Sequence, residues 1–226
     1  MSNTINTKLR NEKKFIFLEP FKSVEKLLSF NKAKETFNPR RINTIYFDTF
    51  FHKNYYEAID GVGLRNKIRV RWYGNTFNTR IEPHIENKIK TNYHNFKITK
   101  KMNAFKTGNF FSIINFKKYI QSEKFDNSEI NFYLNNLYPN LFVSYFRKYF
   151  VLDNVRITLD TELKFINIAK VNFFSKKNFL SMNKKQILEL KYSDEFSSQA
   201  GKITKTFNNR LNKFSKYQIG LLETFY

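Results

Sequence analysis

The sequence predicts an α+β protein built on an antiparallel barrel or sandwich of about eight strands, and three observations favour this class. Segments that alternate charged and apolar residues outnumber segments with helical periodicity. Many of the strand-like segments follow one another directly, as the strands of antiparallel barrels and sandwiches do. The 226 residues include six Gly and four Pro, and no linker rich in either is visible. A single domain over 1–226 is therefore expected.

In chain order, a strand is expected first near 10–19, because RNEKKF places Arg10, Glu12 and Lys14 at alternate positions. A helix is predicted over 21–31, FKSVEKLLSFN, from its apolar spacing. The polar stretch SFNKAKETFNPRR is expected to be a loop, and a strand is predicted near 42–48.

The clearest alternation lies in LRNKIRVRWYG and predicts a strand near 64–73. Its even places hold Ile68, Val70 and Trp72, and its odd places hold Arg65, Lys67, Arg69 and Arg71. Such a strand has one cationic face and one apolar face, since successive side chains point to opposite sides. RIEPHIENKIK predicts another strand near 80–90, with charged or polar residues at alternate places: Arg80, Glu82, His84, Glu86, Lys88 and Lys90.

The remaining elements repeat this mixture. A strand near 95–101 precedes an expected loop, TKKMNAFKTGN, and helices are predicted over 109–120 and 127–136. Three strands follow near 141–151, 155–163 and 186–193, read from SYFRKYF, VRITLDTEL and ILELKY. A last helix is predicted over 202–213.

The composition predicts an anionic partner. Lys and Arg number 40 against 19 Asp and Glu, a formal net charge of +21, which suits nucleic acid, acidic lipid or phosphorylated small molecules. The absence of cysteine excludes disulfides and thiolate metal sites. The chain contains neither a signal peptide nor an apolar run of roughly 20 residues, so a cytoplasmic protein without a membrane segment is expected.

The charged strand faces have two interpretations. They are the solvated outside of an ordinary barrel, or they line an enclosed channel with many cations and a few carboxylates, namely Glu12, Glu86, Asp160 and Glu189. The second arrangement has the chemistry to hold a phosphate chain together with a divalent metal ion. The charged faces carry both signs, which suits a metal-phosphate cavity better than a nucleic-acid surface.

Seven motifs in order resemble the VTC domain, the catalytic module of polyphosphate polymerases. They are NTIYFDT, DGVGLRNKIRVRWYG, IENKIK, YFRKYF, VRITLDTEL, ILELKY and NKFSKYQIG, and they cover roughly residues 10 to 220. That domain belongs to the CYTH-like triphosphate tunnel metalloenzymes. The resemblance implies an eight-stranded antiparallel β-barrel with flanking helices, whose basic tunnel holds phosphate.

The resemblance also implies roles for individual residues. Those that hold and neutralise the reacting phosphates would be Arg69, Arg71, Lys88, Arg147 and Arg156. Further phosphate contacts would come from Lys14, Lys100, Lys191 and Lys216, where the alignment of Lys100 can slip to Lys97 or Lys101. Glu189 would bind Mn²⁺ or Mg²⁺, with Glu12 or Asp160 as further ligands. The E-x-E-x-K motif common at the amino terminus of tunnel enzymes is shortened here to Glu12 and Lys14.

The function implied by this resemblance is a metal-dependent polyphosphate polymerase, with ATP and polyphosphate as its partners and no specific nucleic acid. The alternatives are an inorganic triphosphatase of the same fold and a non-catalytic module that binds polyphosphate or nucleic acid. Walker, G-x-G-x-x-G and G-x-S-x-G motifs are absent, which weakens Rossmann and hydrolase-triad interpretations. The sequence leaves the oligomeric state open.

Overall fold

A computed structural model describes residues 11–18, 21–77, 79–91, 95–108, 110–182, 184–207, 209–213 and 215–225. The strands of the described residues are β1 (Asn11–Phe17), β2 (Lys34–Asp48), β3 (Arg65–Tyr73), β4 (Arg80–Ile81), β5 (His84–Lys90), β6 (Asn95–Lys101), β7 (Phe105–Lys106), β8 (Phe110–Ser112), β9 (Tyr138–Leu152), β10 (Val155–Asn167), β11 (Phe173–Ser175), β12 (Leu180–Met182) and β13 (Gln186–Tyr192). The α-helices are α1 (Phe21–Phe30), α2 (Lys53–Ile59), α3 (Ile113–Ser122), α4 (Ser128–Asn136), α5 (Ser197–Thr206) and α6 (Lys216–Phe225).

Eight strands form one curled antiparallel sheet in the order β1-β13-β10-β9-β2-β3-β5-β6, and β12 pairs with β10 beside it. The α+β class and the eight-stranded antiparallel sheet predicted from the sequence are confirmed. Within the described residues the two edge strands, β1 and β6, do not pair with each other, so the sheet is a half-barrel. Two short pairs, β8 with β11 and β4 with β7, lie outside it.

Most predicted elements are confirmed, and four predictions need correction. The loop predicted in SFNKAKETFNPRR is wrong from Lys34 onward, because this exposed stretch pairs its backbone with β9 despite its polar side chains. Its register with β9 shifts between Phe37 and Arg40, around Pro39, which has no N–H to donate. The loop predicted in TKKMNAFKTGN is likewise interrupted by the end of β6 and by β7.

The strand predicted over 80–90 is divided into β4 and β5, and Pro83 lies between them. The helix predicted over 202–213 lies further toward the amino terminus as α5, while α2 and α6 were not predicted. The start of the predicted first strand, at Arg10, lies outside the described residues.

The two faces of the sheet differ in chemistry. The inner face is the one that carries Tyr46, Arg69 and Arg147, and the outer face is the one that carries Ile45 and Val70. On the outer face, α3 and α4 cover apolar residues of β2, β3 and β5, and α1 and α5 cover apolar residues of β1, β10 and β13. Helices therefore pack on the apolar side of the strands, and the charged sides face inward.

Helix α6 is the exception, because it packs against the inner face. Its residues Tyr217, Ile219 and Leu221 join a core with Leu141 and Phe165 of β9 and β10. One part of the inner face is therefore apolar and covered by α6, and the remainder carries the charged residues. No helix of the described residues has both the length and the apolar character needed to cross a membrane.

A bulge in β10 changes which residues face inward. The register with β9 shifts between Thr161 and Lys164, and Glu162 has a positive φ of 50°. Before the bulge Asp160 faces inward, whereas after it Leu163 and Phe165 face inward and Lys164 faces outward. The extra residue thus exchanges the two faces of the strand halfway along its length.

Gly220 determines how closely α6 approaches the sheet. A Cβ at this position would lie 2.6 Å from Leu141 Cδ2 and closer still to the ring of Phe165. We expect Gly220→Ala to lower the free energy of unfolding by about 1–3 kcal/mol, because overpacking outweighs the better helix propensity of alanine. Urea denaturation measures the change.

The matched control is Gly201→Ala in α5, where an added Cβ meets no heavy atom within 4 Å. That change should raise stability by about 0.4–1 kcal/mol, since alanine favours a helix without a clash. Equal effects of the two substitutions would contradict the close contact at Gly220.

Candidate active site

A cationic cavity of about 170 Å³ lies on the inner face of the sheet. Its lining includes eight cationic side chains, Lys14, Lys67, Arg69, Arg71, Lys88, Arg147, Lys191 and Lys216. Two carboxylates, Glu12 and Glu189, and four other residues, Tyr46, Tyr145, Ile187 and Ser215, complete it. Both β1 at the sheet edge and β5 near the opposite edge contribute, so the sheet curls around this cavity.

Glu86 holds the two arginines of β3 in place. Its carboxylate accepts a hydrogen bond from Arg69 Nε at 2.6 Å and one from Lys97 Nζ at 2.7 Å, and Arg71 Nη1 lies 3.7 Å away. Burial favours the neutral form, but the neighbouring Arg69, Arg71 and Lys97 hold the pKa of Glu86 below its ordinary value. This acid is therefore an ionised anchor for the arginine pair.

Asp160 has the same relation to a second pair of cations. It is fully buried and accepts hydrogen bonds from Arg147 Nε at 2.5 Å, Arg147 Nη2 at 2.7 Å and Lys216 Nζ at 2.5 Å. Burial alone would raise its pKa, but Arg147 and Lys216 hold the pKa of Asp160 below its ordinary value. Both carboxylate oxygens are occupied, and Asp160 does not line the cavity. The geometry favours a buried anchor over the metal ligand expected from the sequence.

Lys216 is positioned by the first turn of α6. The next residue, Tyr217, donates a hydrogen bond of 2.5 Å to buried Asp48, whose carboxylate also accepts the backbone N–H groups of Asn54 and Tyr55 at the start of α2. The ammonium of Lys216 also lies 4.7 Å from the ring centroid of Tyr145. The motif NTIYFDT at the end of β2 therefore acts at a distance, because its Asp48 fixes the helix that carries Lys216.

The two carboxylates that face the cavity come from adjacent strands. Lys14 lies opposite Glu189, and Glu12 lies opposite Lys191. Lys191 Nζ is 2.8 Å from Glu189 and 3.8 Å from Glu12, and Glu12 also pairs with Lys14. Burial opposes the charge of Glu189, but the surrounding cations, led by Lys191 and Lys14, hold the pKa of Glu189 well below its ordinary value.

Thr158 adds a polar group beside Glu189. It lies opposite Glu189 across β10 and β13, and its buried hydroxyl has no hydrogen-bond partner among the described residues. An orphaned hydroxyl next to an ionised carboxylate is a donor set that a hydrated cation or a phosphate can satisfy. The described residues contain no group of three His, Cys, Asp or Glu side chains that could hold a metal ion without other ligands.

Two predicted residues lie elsewhere. Arg156 is on the inner face of β10 but exposed, opposite Lys191, and it does not line the cavity. Lys100 lies opposite Ile85, on the apolar side of β6, whereas Lys97 lies on the charged side and pairs with Glu86. Of Lys97 and Lys100, Lys97 is therefore the one on the charged face, although neither lines the cavity.

Lys67 lines the cavity but was not predicted as a site residue. Its signal was present in the alternation of residues 65 to 71, where it shares a face with Arg69 and Arg71. Burial, together with the nearby cations Arg65, Lys88, Lys14 and Arg69, lowers the pKa of the Lys67 ammonium to about 8. Burial also lowers the pKa of Lys88, although Glu12 opposes that shift.

These shifts predict a pH-dependent affinity for anions. Lys67 is protonated below about pH 8 and neutral above it, and only the ammonium attracts phosphate. We expect the affinity for tripolyphosphate to fall as the pH rises from about 7 to 9, with proton uptake on binding near pH 8. Calorimetry in two buffers of different ionisation enthalpy measures that uptake.

The control is Lys67→Met, which retains the aliphatic stem and removes the titrating group. It should bind more weakly at pH 7 and should show a flatter pH dependence than the natural protein. An equal affinity of the natural protein at pH 7 and pH 9 would contradict this assignment.

Comparisons with known proteins identify the family of this chain and show that its fold occurs in other proteins. The VTC domain family matches residues 10–225. A candidate adenylate cyclase from Bacillus halodurans has a similar structure, with 12% identity, 97% of this chain and 99% of that chain covered, and a TM-score of 0.57. The PH1819 protein from Pyrococcus horikoshii OT3 is similar with 13% identity, coverage of 95% and 99%, and a TM-score of 0.51. No curated protein matches the sequence.

Proposed function

Because this chain belongs to the VTC domain family, we propose that it is a metal-dependent polyphosphate polymerase that uses ATP. In this reaction a terminal phosphate oxygen of a polyphosphate chain attacks the γ-phosphorus of ATP. The bond between that phosphorus and the β,γ-bridging oxygen breaks, and ADP leaves with the electron pair. The product is a polyphosphate longer by one unit.

The observation that carries the proposal is the excess of cations over carboxylates around a small cavity inside the curl of the sheet. Eight cationic side chains and two carboxylates line about 170 Å³. Pockets for whole organic ligands are typically about 300–1,000 Å³. A cavity of this size and charge suits a row of phosphates and leaves the nucleoside outside it.

The cationic side chains have positioning and electrostatic roles. Phosphoryl transfer requires little covalent help from a protein, because the groups that position the phosphates and neutralise their charge supply most of the catalysis. Arg69 and Arg71 approach the phosphates from β3, and Arg147 and Lys216 approach from the other side, each pair held by a buried acid. Because these cations are held before substrate arrives, little reorganisation is needed as negative charge moves toward the leaving ADP.

The lysines occupy the remaining sides of the phosphate row. Lys14, Lys67, Lys88 and Lys191 all line the cavity. Arg156 lies at the exposed end of the same face, where it would contact phosphates that enter or leave. Lys97 steadies Glu86 between the arginines, which differs from the phosphate contact expected for Lys100.

We assign the divalent ion to the side of the cavity that carries Glu189. Magnesium and manganese sites in phosphoryl-transfer enzymes commonly use one or two carboxylates and take their other ligands from substrate phosphates and water. Glu189 and Glu12 face the cavity from adjacent strands, and Thr158 has an unused hydroxyl opposite Glu189. When bound, Mn²⁺ or Mg²⁺ would supply charge neutralisation for the phosphate chain.

Product analysis tests the proposal. Purified protein is incubated with ATP and Mn²⁺ or Mg²⁺, and the products are separated on a polyacrylamide gel. A ladder of long anionic chains with an equal release of ADP supports the polymerase. Orthophosphate without a ladder would overturn it in favour of a triphosphatase, in which water replaces the phosphate terminus. Arg80→Ala, at an exposed position of β4, serves as the control for Arg69→Ala, which should remove turnover.

A further inference from the structure

A second cavity lies on the outer face of the sheet, on the opposite side from the site described above. It has a volume of about 440 Å³, and Arg41, Lys164 and Lys176 contribute its charge. Arg41 of β2 points outward, whereas its neighbour Arg40 pairs in register with Arg147. None of the residues that line the inner cavity lines this one.

A polar row across four strands forms the base of the outer cavity. Asn43 of β2 lies opposite Ser144 of β9, Ser144 lies opposite Lys164 of β10, and Lys164 lies opposite Ser181 of β12. The outer face of neighbouring strands is elsewhere mostly apolar and covered by helices. A continuous polar row in that position is therefore a local departure from the pattern of the sheet.

Hydrogen bonds make this base rigid. Buried Asn43 donates to the Gly74 carbonyl at 2.9 Å, and its Oδ1 accepts from Thr76 at 2.7 Å and from Ser144 at 2.9 Å. Arg41 Nη1 lies 3.5 Å from Ser144 Oγ. The loop after β3 and the base of the cavity are thus joined through one buried amide, so the cavity is a built feature of the fold.

The charge of the outer cavity favours an anion. Arg41 pairs with Glu162 at the bulge of β10. Among the residues that the structure describes, neither Lys164 nor Lys176 forms a salt bridge. Two unneutralised ammoniums, an arginine and the Ser181 hydroxyl therefore face one volume, and phosphate oxygens satisfy such donors well.

The size and one wall of the outer cavity distinguish it from the inner one. Its volume is within the range of pockets that hold organic ligands. Phe179 forms part of the wall, and its ring lies 5.5 Å from Phe142 and 6.2 Å from Phe77, centroid to centroid. A partly exposed, well-supported aromatic ring next to cations gives an organic group a surface to lie against.

We propose that the outer cavity is a second binding site for a phosphate-bearing small molecule, with Lys164 and Lys176 as its principal phosphate contacts. The chemistry common to inorganic oligophosphates and to nucleotides, a phosphate held by ammonium groups and hydroxyls, defines the ligand class. The bulge in β10 creates this site, because it turns Lys164 outward beside Ser144.

Calorimetric titration of the whole protein in metal-free buffer tests the site without any turnover. Tripolyphosphate and AMP are the two probes. If the ligand is inorganic, tripolyphosphate binds with a stoichiometry of two, which falls to one in the double variant Lys164→Met, Lys176→Met. If it is a nucleotide, AMP binds once to the natural protein, and its affinity falls about 100-fold in the double variant, as expected for two lost charge-assisted contacts.

The matched control is Lys26→Met, Lys202→Met, which removes two charges from exposed positions of α1 and α5. It should keep the stoichiometry and affinity of the natural protein for both probes. Ser181→Asp, at an exposed position of β12, tests the site with a single change that places a negative charge in it and should also remove outer-site binding. The proposal is overturned if the double variant and the control pair bind both probes alike. Since turnover is not measured, failure here is separate from failure of the polymerase assignment.

Discussion

Replacing Asp160 with Asn is expected to lower the free energy of unfolding by about 3 kcal/mol, the low end of the cost of breaking a buried ion pair. The substitution retains the shape of the side chain and removes the charge that pairs with Arg147 and Lys216. Both cations are largely buried, so neither recovers full hydration when the carboxylate is lost. We expect the smaller cost because Arg147 and Lys216 also border the inner cavity. There they keep some contact with solvent and still interact with the carboxylate of Glu189.

Urea denaturation measures this loss, and Asp153→Asn is the control. Asp153 is exposed in the turn between β9 and β10 with φ of 47°, a conformation that Asn accepts readily. Its replacement should change stability by less than about 0.5 kcal/mol. Tripolyphosphate should raise the unfolding midpoint of Asp160→Asn more than that of the natural protein, because a bound anion replaces the missing charge. If the two Asn variants unfold at the same urea concentration, Asp160 is not the anchor described here.

Replacing Glu189 with Gln is expected to reduce turnover of ATP by about 100- to 1,000-fold, the typical effect of removing one preorganised electrostatic group. The change keeps the size of the side chain and removes an ionised carboxylate that faces the cavity. The loss should be accompanied by a higher Mn²⁺ requirement, because Glu12 is the other cavity-facing carboxylate among the described residues. Initial rates over a series of Mn²⁺ concentrations measure both effects.

The substitution Lys191→Met distinguishes two roles of Glu189: binding a metal ion, or forming only a structural ion pair with Lys191. It removes the cation 2.8 Å from Glu189 and leaves the carboxylate in place. If Glu189 binds metal, Lys191→Met should retain or lower the Mn²⁺ requirement, in contrast to Glu189→Gln. If Glu189→Gln turned ATP over within tenfold of the natural rate at saturating Mn²⁺, the metal assignment would fail.

The alternation of residues in the sequence predicted the faces of the strands well. Arg69 and Arg71 lie on one face and Val70 and Trp72 on the other, because the side-chain period of a strand is two whatever surrounds it. The choice between a solvated surface and an enclosed cavity depended on the resemblance to a family. Periodicity assigns a face, but it does not say whether that face is inside the curl of the sheet.

The sequence did not predict how deeply each residue on the inner face is buried. Asp160 and Glu189 are both acids at inward positions of alternating strands. Asp160 is fully buried between two cations, whereas Glu189 faces the cavity. The difference arises from Lys216, which α6 brings to Asp160 from 56 positions along the chain. Such a contact is tertiary, and neither strand carries a local signal of it.

Local patterns also failed where backbone pairing outweighed side-chain character. The first half of β2 is exposed and polar, which predicts a loop, but its backbone completes hydrogen bonds with β9. On β6, a difference of three residues moves a lysine from one face to the other, so an uncertain alignment could not distinguish Lys97 from Lys100.

Because of the single extra residue at Glu162, the strand β10 contributes Asp160 to the surroundings of the inner cavity and Lys164 to the outer cavity. Deleting it would restore an unbroken period of two along β10. Leu163 would then follow Thr161 directly and keep its side chain toward α6, and Lys164 would stay opposite Ser144 on the outer face. A one-residue deletion there should therefore be tolerated far better than a one-residue deletion in the two-residue turn at Asp153 and Asn154, which fixes the register of β9 with β10.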